Sequence, residues 1–480
     1  MITAFVENTR LQVLVIAVLV VAGLAALASL PRTEDPRVQN RVAVILTPFP
    51  GATAERVEAL VSEPIENRLR ELPEAKIIES RSQPGLSIVR IELKDSITAT
   101  EPVWSQARDK LADVQSELPA DALPSRFDDE RGYAFTRLIA LRWIWPEGST
   151  KRAVDNTELA MLKRYAEELQ ARLRSVSGTD LVDIYGAPQE EIRVTLDARQ
   201  AGALQLSPAE IAAAVGATDA KVAAGTLRNA HNRLLVEVAG ELDSLESIRR
   251  VALRITDDGA TIRVGDVARV SRETKTPATE LSLVHGEPAV VIAARMLPSM
   301  RIDRWSTWID ATIADFSTAL PGNIVLETLF DQQGYTTARL GGLSLNIVLG
   351  FSLILLILLI TLGWRAALIV AAALPLTVLF TLACMRYWGL PIHQMSVTGL
   401  VVALGIMVDN AIVMTDAIQR KRQAGVERLT AVLEAVRHLW LPLAGSTLTT
   451  ILAFAPIVLM PGPAGEFVGG IALSVMFALA

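Results

Sequence analysis

The sequence predicts a membrane protein: an α-helical transmembrane bundle carrying two α+β subdomains of the ferredoxin-like, split-βαβ kind, the second interrupted by an inserted subdomain. Three observations point there. Apolar residues make up 51% of the 480, a little above the roughly 45–50% usual for soluble chains, and mean hydropathy is positive. That excess is concentrated in one stretch near the start and in nearly everything after Leu340. The roughly 300 residues between have ordinary soluble composition and a patterning that alternates between period 2 and period 3.6.

The first apolar stretch, residues 11–30, contains no charge and is flanked by Arg10 and by Pro31 and Arg32. Twenty residues span a hydrocarbon core of about 30 Å at 1.5 Å per residue. A cleaved signal peptide fits poorly, because its apolar core usually runs about 7–15 residues. A retained first transmembrane helix over residues 1–31 is the expectation.

After residue 336 the pattern predicts further spans at 340–364, 366–385, 395–418 and 439–460, with Arg365 as a very short turn and 386–394 as a polar loop. The last apolar stretch, 467–480, is too short to cross, so the reading is that the chain stops inside a sixth span. Basic residues orient the set. Arg420, Lys421, Arg422, Arg428 and Arg437 all lie between the fourth and fifth stretches, which marks that connection as cytoplasmic. Counting back, the N-terminus is inside and the segment from Pro31 to Arg339 lies outside the cytoplasm.

Within that segment, residues 41–47 read as a strand and 53–72 as a helix with Val57, Leu60, Val61, Ile65 and Leu69 on one face. Strands at 76–81 and 87–93 and a helix at 101–118, with Val103, Ala107, Leu111, Val114 and Leu118 in register, complete a β-α-β-β-α order. A second copy has a strand at 137–143, a helix at 157–176, strands at 180–185, 288–295 and 323–328, and a helix at 302–319. Between its halves lies an insertion, about 191–275. There Ser207, Pro208 and Glu210 spell a helix start: a hydroxyl cap, a proline at the first position and a glutamate three on.

Composition narrows the function classes. A net charge of −6 argues against nucleic acid as a partner. The single cysteine, Cys384, sits inside an apolar run, so there is no disulfide framework and a core cysteine is expected. His231, His285, His393 and His438 match no metal spacing and are expected at surfaces or interfaces. The ten methionines form no cluster of the kind that handles copper or silver. There is no phosphate-cradling glycine loop and no Ser–His–Asp or paired-carboxylate arrangement, so neither ATP hydrolysis nor another enzyme activity is expected.

Asp409 is the most informative position. It lies fourteen residues after Met395 and eleven before Arg420, near the bilayer midplane. A low-dielectric site favours the neutral form of any carboxyl group, and a nearby cation favours the charged form. Such a group can load a proton on one side and release it on the other, where the membrane potential contributes about 2.3 kcal/mol per charge per 100 mV. Intramembrane acids are functional by default; the plainer alternative is a structural carboxylate satisfied by a cation on another helix. Asp416, seven residues on, shares its face but lies close to the cytoplasmic interface. Gly405 would let a neighbouring helix come close. Asn410 is a neutral donor and acceptor beside the acid, or simple packing glue between helices.

The run from Gly405 to Met414, GIMVDNAIVM, resembles the fourth-helix signature of the resistance–nodulation–division transporters. The runs 50–55 (PGATAE), 63–66 (EPIE), 107–110 (ARDK), 191–194 (EIRV) and 446–449 (STLT) are similar to further parts of that family. The resemblance covers the whole chain. It implies the N-terminal half of a bacterial inner-membrane exporter, with a large periplasmic domain, driven by the proton gradient and without a cofactor. The family's form is a homotrimer in the lipid bilayer, joined by a periplasmic membrane-fusion adaptor and an outer-membrane channel. Residues 32–134 would be the first porter subdomain, 135–190 and 276–336 the second, 191–275 the docking insertion, and 337–480 spans two to six, the last truncated.

Drug-exporting members of the family often carry two adjacent acids where this sequence has Asp409 and Asn410. That makes Asp409 the single proton carrier at the motif. Phe135 and Tyr185 fall where two substrate-pocket aromatics of the family would fall, or are ordinary strand aromatics. Small amphiphilic compounds are the expected substrates. Metal export is the alternative within the class, since single-acid members include metal exporters. A non-transporting sensor or assembly factor is the alternative outside it. The family's chains are about twice as long, and their second half brings the lysine expected to pair with Asp409.

Overall fold

The structure, a computed structural model, describes residues 8–130, 132–145, 154–228, 233–240, 242–255 and 259–480. The part beyond the apolar helices contains two sheets of the same plan. In the first, β1 (Val42–Pro48), β2 (Ala75–Gln83), β3 (Leu86–Leu93) and β4 (Arg126–Asp128) stand in the order β2-β3-β1-β4, every neighbour antiparallel. A helix over 54–69 follows β1, and the helix Glu101–Gln115 follows β3. The alternation in β1 and β3 puts Ala43, Ile45, Val89, Ile91 and Leu93 on the buried face against both helices.

The first helix departs from its simple periodic reading. Its middle, Glu58–Ser62, is a π turn, and the extra residue swings Leu60 out to 40% exposure while Val57, Val61, Ile65 and Leu69 stay buried. In the second helix Trp104 joins the expected apolar positions and is among the largest fully buried side chains.

The second sheet repeats the order. Here β5 (Arg137–Trp143) and β6 (Thr179–Tyr185) precede an insertion that opens with β7 (Glu190–Leu196) and, after β8 (Ala220–Arg228), β9 (Arg233–Gly240), β10 (Ala252–Ile255) and β11 (Thr261–Arg263), closes with β12 (Ala268–Thr274). A short β13 (Ser282–Val284), then β14 (Glu287–Met296) and β15 (Ile324–Asp331), complete the unit. β14 pairs with both β6 and β5, and β5 with β15, all antiparallel. The helices Asn156–Arg174 and Ile302–Thr318 pack on one face through Leu162, Leu169, Trp305 and Phe316. The insertion leaves and rejoins this unit through one antiparallel pair, β7 with β12, so that Glu190 faces Thr274. Its helix Pro208–Thr218 has the reciprocal cap read from the sequence: Glu210 N–H donates to the Ser207 hydroxyl, and Ser207 N–H to the Glu210 carboxylate.

Among the described residues six helices are long and apolar enough to cross a membrane: Thr9–Ser29, Gln332–Leu362, Trp364–Trp388, Gln394–Gln423, Arg428–Val458 and Gly462–Leu479. The chain is a membrane protein with helical spans and α+β domains. The ends of several spans differ from the hydropathy reading, for physical reasons. The second span starts at Gln332, before the boundary at 337, because Asp331 at the end of β15 caps it directly, accepting from Gln333 N–H at 2.9 Å. Gly363, at φ +77°, makes the break before the third span, and Arg365 lies inside that helix. The sixth helix starts at Gly462 rather than 467 and has 18 residues, about 27 Å of helix. Glu466 lies within it and is paired with Arg41.

Where the first span meets the second unit, Arg301 donates to both Asp303 oxygens, at 3.0 and 2.5 Å. The guanidinium holds the Asp303 carboxyl below the usual carboxylate range. A lowered carboxylate contributes stability that is present above its unfolded value and lost as pH falls through the folded one. Asp303→Asn should therefore flatten the acid limb of the full-length protein's thermal stability below about pH 4 and leave the profile near pH 7 in shape. An unchanged acid limb on scanning the melting point against pH would count against this pair.

Candidate functional site

The fourth span positions the site. His393, 1% exposed and therefore a buried cap rather than a surface histidine, accepts at Nδ1 from Ser396 N–H at 3.2 Å, while His393 N–H donates to the Ser396 hydroxyl at 3.0 Å. One face of the helix, with Gly399, Ala403 and Leu404, is buried in the bundle. A Cβ built on Gly399 would lie 2.5 Å from the carbonyl oxygen of Ile471 in the sixth span, so the two backbones are nearly in contact. The exposed positions, Val402, Gly405, Asp409 and Val413, recur at helical spacing and form one stripe.

Asp409 is residue sixteen of the thirty in this helix, midway along about 45 Å of it. It faces outward on the exposed stripe. Among the described residues it makes no hydrogen bond or ion pair. Asn410 points elsewhere: its amide donates to the Thr447 hydroxyl of the fifth span at 3.2 Å, and Thr447 donates in turn to the Leu443 carbonyl at 2.8 Å. Asp416 lies about 10 Å further along the helix and pairs with Arg420 at 2.7 Å. The structure thus leaves the three motif residues with different surroundings: a solitary carboxylate, an amide tied to the next helix, and an acid answered by its own helix. The tie to Thr447 had no sequence signal; the Asp416–Arg420 pair did, in its i,i+4 spacing.

Phe135 and Tyr185 are brought together. Tyr185 ends β6, Phe135 lies just before β5, and the rings meet edge to face with centroids 5.9 Å apart. Tyr185 is 38% exposed. Burial, and after it the nearby Asp183, Glu280 and Asp128, push its phenol above the ordinary value, so it is a neutral hydroxyl. The turn after it is tight: Gly186 has φ +72° and donates its N–H to Glu280 at 2.7 Å. Apolar rings with a polar tip suit an amphiphilic contact surface.

A cavity of about 830 Å³ that had no sequence signal opens where the first and third spans meet the two α+β units, between Leu30, Arg37, Tyr133, Ser299 and Arg386. Arg37 stacks over Tyr133 at 4.2 Å. Among the described residues no three His, Cys, Asp or Glu side chains form a group able to hold a metal ion; His231 lies outside them.

A family model described as AcrB/AcrD/AcrF family matches residues 1–480. Among curated relatives, the multidrug resistance proteins MdtC of Salmonella schwarzengrund (strain CVM19633), Salmonella heidelberg (strain SL476) and Salmonella newport (strain SL254) are each 24% identical over 480 residues. The aligned region covers 99% of this chain and 45% of each relative, so the chain spans less than half their length.

Proposed function

The chain belongs to the AcrB/AcrD/AcrF family, and we propose that it supplies six spans and the first external units of a proton-driven inner-membrane exporter of amphiphilic compounds. The observation that carries this reading is Asp409: a carboxylate in mid-span, on an uncovered helix face, with no partner among the described residues. An acid at that depth is costly to keep unless it works. Protonation removes its charge and deprotonation restores it, so the preferred covering of that face changes with each proton. The fourth helix, packed backbone to backbone on the sixth at Gly399, would move as a body with it.

In this reading the units at 32–134 and at 135–190 with 276–336 are porter subdomains on the periplasmic side, and 191–275 is the docking insertion. Phe135 and Tyr185 contact substrate. Asn410, held by Thr447, sets the rotation of the helix at the acid, and Asp416 marks its cytoplasmic end. A homotrimer with a periplasmic adaptor and an outer-membrane channel is the working assembly. MdtC relatives bear the words multidrug resistance in their names, which supports organic rather than metal substrates here.

The reading is tested by the energy source. In cells expressing the full-length protein, export of a fluorescent amphiphilic dye should stop when a protonophore collapses the gradient, and should persist when ATP is depleted with the gradient maintained. Export that ignores the protonophore would contradict it.

A further inference from the structure

The sixth span carries a single charged residue, Glu466, in an otherwise apolar helix. Its carboxylate is engaged by three donors of the first external unit. Arg41 Nη2 donates to one oxygen; Arg41 Nη1, at 3.2 Å, and the Gln39 N–H, at 2.7 Å, donate to the other. Arg41 itself is 4% exposed and donates further from Nε to the Ile97 carbonyl at 2.9 Å. The arginine directly precedes β1, and its carbonyl accepts from Leu93 N–H at the end of β3 at 2.8 Å. A two-pronged arginine–carboxylate pair fixes orientation as well as distance.

The two external units differ in how the chain joins them to the bundle. β15 passes into the second span without a loop, through the Asp331 cap. The first unit is reached from the first span through residues 30–41, which form neither helix nor strand beyond one bridge between Arg32 and Ile392. That link is slack. Opposite it, the sixth helix meets the fourth at positions with no side chain to yield: Gly399 against Ile471 and Ser474, and Gly470, where a Cβ would lie 2.7 Å from the His393 ring. The sixth helix therefore lies along the helix of Asp409 from Gly470 onward and meets the root of β1 one turn earlier, at Glu466.

We infer that Glu466 is a positioning residue: its pair with Arg41 ties the sixth span to the first external unit and delivers the movement of the fourth and sixth spans to β1. This rests on the proton-driven reading above. A buried ion pair is weak evidence of stabilisation, because desolvation offsets much of its attraction; directional hold is what this arrangement provides.

The test uses the full-length transporter in proteoliposomes, with proton entry and export of a fluorescent amphiphile measured in the same preparation. In Glu466→Gln the bundle should still cycle protons while the outer unit follows poorly, raising protons per exported molecule about fivefold or more. Glu466→Asp, which keeps the charge and retracts it by one methylene, should fall between. A wild-type ratio in both variants overturns the tie, and so does a parallel fall in proton entry and export, which would mark a merely structural role. Asp409→Asn separates the two levels. If it leaves both fluxes intact, the exporter reading itself fails; if it stops both while Glu466→Gln keeps the wild-type ratio, the tie alone fails.

Discussion

Asp409→Asn should abolish export in the full-length protein while abundance and assembly stay at the wild-type level. The substitution keeps the shape, exchanges one acceptor oxygen for an NH2 donor and removes the exchangeable proton and charge. Asp409 has no partner among the described residues and sits on an exposed stripe, so within this chain no packing is lost and no buried partner is orphaned. A structural carboxylate would behave otherwise: removing one member of a buried pair typically costs about 3–5 kcal/mol and would reduce the folded yield. Drug accumulation in cells at matched expression distinguishes the two outcomes. Accumulation equal to an empty-vector control, at normal abundance, is the expected result.

The second large effect is expected at Gly399. A leucine there places its Cβ 2.5 Å from the Ile471 carbonyl oxygen and 2.8 Å from Ser474 Cβ. The first of these is helix backbone and cannot rotate away, so the fourth and sixth spans must separate. Overpacking of this kind typically costs about 1–3 kcal/mol. Gly399→Leu should lower the melting point of the purified full-length protein and also its export, because the helix carrying Asp409 loses its seat. An unchanged melting point would show that this close crossing does not hold the bundle together.

Much of the architecture was legible because it follows from periodicity and apolar length. Leu159, Leu162, Ala166, Leu169 and Leu173 share one helical face in the sequence and one buried face in the structure. Ser207 and Glu210 announce a cap that forms as written. What was illegible depends on partners distant in sequence or on local irregularity. The apolar stretch from 467 leaves out Glu466, which the structure places inside the sixth helix with its partner, Arg41, 425 positions away. Leu60 fits a regular helix, and only the π turn turns it outward. The same holds at the site. Asp409 stands out as a charge in an apolar run, but the bond from Asn410 to Thr447, 37 positions on, has no sequence signature.

The most direct test of the account is proton movement itself. Full-length protein would be reconstituted with a pH-sensitive dye inside the vesicles, a proton gradient imposed, and proton flux followed on adding an amphiphilic substrate. Wild-type protein should show a substrate-dependent flux that is absent in Asp409→Asn. An equal flux from both proteins would contradict the claim that this carboxylate carries the proton.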